Sequence, residues 1–340
     1  MTLAELPRQG PGSAQGGVVD RSDVEWRRRV MIFGDSIRSD FENPLATTWR
    51  ALMRSLTRSG HEVVFIEPRR SESLTRLLRH RGSAPLRQFS EVYPDLQYRT
   101  FDLPHGRELS IWLARELALV DCVVVLDNAT EKLKAFIMAH DEPRLLRVQP
   151  SGTDQFMTSI GKPLLLGPAI DLPRSQPRVL MPADMLRVAV LAWDAELASL
   201  ATQAWHRVAT INPKVRRFSL GSLSLDGWVP ITELDLASVL AEIDIAVVIA
   251  GLHPAGPAMA VRSLLPLSFG VQSVTIVANL HEPRNHLPVP VVVLDGIARS
   301  IAELTQASWP DMSPWSADTQ ASALIAAIDQ SQAVLRADRA

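Results

Sequence analysis

The stretch GDSIRSDFENP, residues 34–44, gathers carboxylates, hydroxyls and a glycine between two apolar runs, RVMIF and EVVFI. Gly34 lacks a Cβ and Ser36 carries a hydroxyl, so both suit close approach to a ligand's oxygen atoms. Asp35, Asp40 and Glu42 are either groups that act on such a ligand or solvated loop carboxylates. Asn43 reads as the N-cap of a following helix, with Pro44 in its first turn, where a missing N–H costs nothing. Other clusters carry less. In HEPRNH (281–286) the histidines lie five apart with Pro283 between them, which does not fit an i, i+4 metal pair, so no metal site is expected. SGTD (151–154) reads as a turn or helix cap. A GxxxxGK[ST] run is absent and no GxGxxG follows the first strand, which argues against a P-loop kinase and a dinucleotide oxidoreductase.

Positioning these residues requires strands and helices in alternation. From Arg28 onward, β-branched apolar runs alternate with helical stretches, the pattern of a parallel sheet covered on both faces. Strands are expected at Arg29–Phe33, Glu62–Ile66, Gln97–Phe101, Asp121–Leu126 and Leu145–Val148, with helices near Pro44–Ser59, Ser71–His80 and Arg107–Leu119. The Pro- and Gly-rich segment Gly161–Asp184 suits a hinge. The alternation then restarts, with strands at Arg187–Trp193, Val215–Leu220, Asp244–Ala250, Ser273–Ala278 and Val289–Asp295, and helices near Glu196–His206, Thr232–Ile243 and Pro257–Phe269. A last helical segment, Trp315 to about Leu335, has apolar residues at helical spacing and is expected to pack back on the first domain. The expected organisation is a disordered tail over 1–24, an α/β domain over 25–165, a second over 185–312 and the returning helix over 313–340. Two such domains face one another across a cleft at the carboxyl ends of their sheets, where ligands of these folds bind.

Bulk properties narrow the classes. The chain of 340 residues exceeds the usual single domain, so two domains of roughly 150 residues are the prior. With 35 basic and 37 acidic residues the net charge is −2, no field to gather nucleic acid over long range. Lysine occurs only at Lys132, Lys134, Lys162 and Lys214, so the arginine run at Arg27–Arg29 reflects a general bias. The single cysteine, Cys122, sits in an apolar strand and forms no internal disulfide. No apolar run approaches the roughly 20 residues of a bilayer span, and no signal-like h-region follows Met1. A cytoplasmic protein without stable membrane insertion is expected.

Residues 43–67, NPLATTWRALMRSLTRSGHEVVFIE, resemble the N-terminal half of bacterial spore-maturation-type glycosyltransferases through Asn43, Ala46, Thr47, Thr48, Arg50, Leu52, Gly60, His61, Val63, Phe65 and Glu67. The resemblance implies a GT-B-like fold of two Rossmann-like domains. It also implies a nucleotide-diphosphate sugar donor held by the second domain, and a small-molecule, glycan or protein acceptor near the first. No metal or other cofactor is implied. Residues 253–277 are similar to the donor loop and helix of such enzymes through Gly256, Arg262 and Gly270. Leu265 stands where these enzymes usually carry a glutamate for the donor ribose.

Under that resemblance the residues take roles. Charge accumulates on the leaving diphosphate, so Arg262 and the start of its helix would stabilise it, with Gly256, His253, Ser263 and Lys214 beside them. Arg216 is a weaker candidate. An inverting transfer needs a base at the acceptor hydroxyl, and Asp35 is preferred over Asp40 and Asp127. Gly34, Ser36, Asn43 and Thr47 line the acceptor or phosphate loop. His61 reads as structural. The alternative is a catalytically degenerate protein of the same fold acting as a binding or scaffold partner. Further alternatives are a nucleotide-sugar epimerase or a ligand-binding module.

Overall fold

The structure is a computed structural model. It describes residues 27–39, 44–101, 107–126, 131–140, 145–150, 156–164, 166, 169–171, 185–193, 195–220, 223–251, 257–278 and 287–337. The tail, most of the hinge segment, HEPRNH and SGTD lie outside them, as do Asp40, Glu42, Asn43, Asp127, His253 and Gly256.

The first part runs β1 (Arg29–Phe33), α1 (Pro44–Arg58), β2 (Glu62–Pro68), α2 (Glu72–Arg81), α3 (Ala84–Val92), β3 (Tyr98–Phe101), α4 (Arg107–Leu117), β4 (Cys122–Val125), α5 (Glu131–Ala139), β5 (Leu146–Pro150), β6 (Phe156–Thr158) and β7 (Pro163–Leu164). Its sheet has the order β3-β2-β1-β4-β5-β6-β7. Pairing is parallel up to β5 and antiparallel through β6 and β7. Alternation sorts the strand residues. Val30 and Ile32 of β1, with Val63, Phe65 and Val124, join a core with Trp49, Leu52 and Leu56 of α1 and Phe89 of α3. Met31 and Phe33 point the other way and pack with Leu113, Leu117, Leu133 and Ile137 of α4 and α5.

The second part repeats this plan with β8 (Val188–Ala192), α6 (Ala198–Ile211), β9 (Arg216–Leu220), β10 (Val229–Ile231), α7 (Glu233–Ala241), β11 (Ile245–Gly251), α8 (Pro257–Ser268), β12 (Gln272–Val277), β13 (Val291–Val292) and α9 (Ile297–Leu304). The sheet order is β10-β9-β8-β11-β12-β13, all parallel. Val188, Val190, Ile245 and Val247 pack on α6 and α9, while Ala189, Leu191, Phe218 and Val248 pack on α7 and Leu265 of α8. The first five strands of each sheet share one order, each with two crossovers to either side of the first strand. These are two Rossmann-like domains in series.

A final helix, α10 (Ala317–Ala337), returns to the first domain. Ala321, Leu324 and Ile328 complete the α1 side of its core. Arg28 just ahead of β1 donates through Nε to Asp329 at 2.9 Å and through Nη1 to Gln332 at 2.8 Å. Gln332 in turn donates to Asp121 at 3.0 Å. Helix α1 packs against both α8 and α10, so it carries contact between the two domains. Ile170 pairs with Ser316 and packs with Leu264, Leu267 and Met312. Asp171 pairs with Arg54 at 3.0 Å and Arg58 at 3.3 Å. Among the described residues no helix is long and apolar enough to cross a membrane.

Several elements differ from the sequence reading. α3, α5, α9, β6, β7 and β10 were not expected, and the strand expected over Val289–Asp295 narrows to Val291–Val292 followed by a single 3-10 turn. Helix α3 follows α2 after only Gly82 and Ser83 and carries Pro85 near its start. Gly82 ends α2 with φ at 65°, and Pro85 sits in the first turn of α3, where proline is compatible with a helix.

Candidate functional site

The described residues of the loop after β1, 34–39, are tied inward. Gly34 N–H donates to Ile66 O at 3.2 Å, which starts the loop between the carboxyl ends of β1 and β2. A Cβ on Gly34 would stand 2.6 Å from Phe65 Cζ and 2.7 Å from Leu126 Cδ1. Packing therefore accounts for this glycine without any ligand. Ser36 is fully buried, and its Oγ accepts the N–H groups of Arg38 and Ser39, both at 3.2 Å. Ser39 Oγ donates back to Ser36 O at 3.1 Å. The Ser36 hydroxyl thus holds the turn.

Two neighbouring elements brace the loop. Glu67 in β2 is wholly buried and accepts the Ile37 N–H at 2.8 Å together with the Arg38 Nε–H. Burial pushes its carboxyl above the ordinary range, against the pull of the Arg38 guanidinium and the Ile37 N–H. Arg38 also lies 5.0 Å from the Tyr98 ring centre. From α1, buried Arg50 donates to Ile37 O at 2.7 Å and stacks over Phe89 and Tyr93 at 5.1 and 5.0 Å. A third brace reaches the candidate base, since Ser73 in the first turn of α2 donates its hydroxyl to Asp35 Oδ2 and lies 3.0 Å from Ser39 Oγ. Asp35 is half-buried, so one carboxylate oxygen is anchored while the group keeps a route to solvent. Thr47, in the first turn of α1, is half-buried as well.

In the second domain the carboxyl edge of the sheet carries Trp193, directly after β8 and 3% exposed. The Arg262 guanidinium from α8 lies 5.7 Å from its ring centre and the residue is 7% exposed. Pro266, inside α8, cannot donate to the carbonyl of Arg262 four residues back. Ser263 is fully buried and its carbonyl accepts from Ser273 Oγ of β12 at 2.9 Å, so it faces the sheet. Leu265 packs in the core with Leu191 and Phe218. Lys214 is exposed in the turn ahead of β9, at the amino edge of a parallel sheet, whereas Trp193 and the start of α8 lie at the carboxyl edge. The structure therefore groups Arg262 with Trp193 and sets Lys214 at the opposite edge.

The sequence reading singled out Asp35, Gly34 and Ser36, and named Arg50 and Glu67 only as positions of resemblance, without a role in supporting the loop. Glu67, Arg38, Arg50 and Ser73 form the frame. Glu67 carried a signal, being the one carboxylate inside the apolar run VVFIEP, where an unpaired charge would be costly. His61 accepts the Arg28 N–H at its Nδ1, 3.2 Å away, a structural contact. Cys122 is fully buried in β4 and its thiol is pushed well above the ordinary range by burial. Among the described residues no three His, Cys, Asp or Glu gather as a metal site.

No protein-family model matches the sequence, and no curated protein matches it. Among solved structures the chain is similar to a spinosyn forosaminyltransferase named SpnP, with 11% identity, a TM-score of 0.40, and 92% of this chain and 99% of that chain covered. MurG of Acinetobacter baumannii is 10% identical at a TM-score of 0.40, covering 90% and 99%. A UDP-GlcNAc 2-epimerase of Methanocaldococcus jannaschii in complex with UDP-GlcNAc and UDP is 9% identical at a TM-score of 0.47, covering 89% and 99%. Likenesses with identities and scores this low assign no activity.

Proposed function

We propose that the protein is a GT-B-type glycosyltransferase of the spore-maturation kind, moving a sugar from a nucleotide diphosphate donor to an acceptor without a metal. The reading is supported chiefly by one observation: a polar loop whose described residues are hydrogen-bonded in place at the carboxyl edge of the first Rossmann-like sheet and present a carboxylate with one anchored oxygen. Asp35 would take the acceptor proton as the new bond forms. Anchoring by Ser73 leaves the second oxygen oriented for that role. At the matching edge of the second sheet, Arg262 held over Trp193 and the N-terminus of α8 would stabilise charge on the departing diphosphate. Gly256 and His253 belong to this donor side in the proposal. Lys214 does not, because of its place at the opposite edge of the sheet.

The second reading is a degenerate member of the fold that binds or scaffolds. Leu265 favours it, since the turn of α8 expected to hold the donor ribose offers a core leucine. Release of nucleoside diphosphate from UDP-, GDP- and dTDP-sugars, followed with acceptor-containing lysate fractions, separates the two. The enzyme reading expects release that persists in a chelator and falls about a hundredfold or more in Asp35→Asn. Equal, background-level release by both proteins would favour the scaffold.

A further inference from the structure

Arginines across the described surface are mostly matched to carboxylates: Arg54 with Asp171, Arg99 with Glu116, Arg187 with Asp244, Arg207 with Asp295, Arg216 with Glu242 and Arg299 with Glu303. The α2–α3 lobe breaks this habit. Residues 69–92 hold six arginines and two glutamates, an excess of +4 in a chain whose total is −2, which leaves −6 for the remainder. Arg70, Arg76, Arg79 and Arg87 are exposed and make no ion pair among the described residues. The buried side of the same α2 places Ser73 against Asp35, so the helix that carries Arg76 and Arg79 on its exposed side borders the candidate acceptor loop.

We propose that this lobe docks an acidic glycan, a sugar chain bearing repeated carboxylates, and delivers it to the loop of Asp35. Guanidinium groups match carboxylates through paired N–H donors, and several on one lobe reward a repeating anion over a single one. A membrane fits less well: a surface-bound helix needs a free apolar face, and α2 has spent Leu74 and Leu77 on the core, with Leu78 exposed alone. Single-stranded nucleic acid fits less well too, since it stacks on free aromatics, and Phe89, Tyr93 and Tyr98 are engaged by Arg50, Arg54 and Arg38. The docking rests on the proposed transfer for its purpose, and its binding is measured without donor or turnover.

The test is the affinity of the full chain for fluorescent polygalacturonate, with neutral dextran, a single-stranded oligonucleotide and anionic phospholipid vesicles in parallel. Polygalacturonate should bind, dextran should not, and binding should weaken as salt rises from about 50 to 200 mM. Arg76→Glu/Arg79→Glu should weaken it about tenfold or more, while Arg207→Glu/Arg299→Glu, on the other domain, should leave it unchanged. Equal loss in both pairs, no binding of polygalacturonate, or tighter binding of the oligonucleotide or vesicles would overturn the proposal. Polygalacturonate binding together with background-level nucleoside diphosphate release in the donor assay would overturn the enzyme reading and leave the docking surface standing. Both arginine pairs are exposed, and far-ultraviolet circular dichroism confirms that the variants fold.

Discussion

Glu67 is a carboxylate with no solvent contact, and its partners Ile37, Arg38 and Ser36 all belong to one loop. Removing it in Glu67→Ala leaves the Arg38 guanidinium, 14% exposed, and the Ile37 N–H without their acceptor. Unpairing a buried charge costs about 3–5 kcal/mol, so urea unfolding should show a loss of that order. Glu67→Gln keeps an acceptor for Ile37 and should lose less. The pH dependence follows from the direction of the shift. Because burial raises this carboxyl, the folded chain holds its proton to higher pH than the unfolded chain does. Its contribution is full below the ordinary value of 4.5 and declines as pH rises through the raised value. Stability of Glu67→Gln should lack that decline; parallel pH profiles for the two proteins would contradict the assignment. The sequence carried the clue without its meaning, since a glutamate in an apolar run signals a buried partner but not which residue supplies it.

The β1 loop and the helices around it act as one element, and its glycine shows why. Gly34→Ala would push a methyl group into Phe65 and Leu126 at 2.6 and 2.7 Å. Overpacking of this kind costs about 1–3 kcal/mol, visible as a lower urea midpoint. A neutral result would mean that the loop yields easily and does not fix Asp35. Strands such as β4 and β8 were legible because their residues are β-branched or small and fully buried on both faces. The short α3 and α9 were not legible, because in isolation nine or eight residues barely favour a helix and tertiary contacts decide the matter. The grouping of site residues was only half legible. Asp35 follows its strand directly. Lys214 directly precedes the strand expected at Val215–Leu220, so its place at the amino edge was legible from the expected parallel sheet. The pairing of Arg262 with Trp193 instead needed the packing of α8 on the sheet.

At the scale of the whole molecule, α10 begins beside Ile170 and packs its Ala321, Leu324 and Ile328 into the core of the first domain. Leu324 and Ile328 are wholly buried there, each contributing about 1.5–3 kcal/mol of burial, and Arg28 ties the helix to β1. A chain ended before Ala317 should lose the protease resistance of the first domain while the second retains its own. Equal resistance in both domains would show that α10 is an accessory. The central claim is that the second sheet and Arg262 bind a nucleotide sugar. Its most direct test is the shift in melting temperature of wild-type protein and of Arg262→Ala with UDP, GDP, dTDP and their sugars. A nucleotide at a hundredfold excess over its dissociation constant stabilises the folded chain by about 2.7 kcal/mol, so one of them should raise the wild-type transition by several degrees and Arg262→Ala should lose most of that rise. No shift with any nucleotide, or the same shift in both proteins, would contradict the claim.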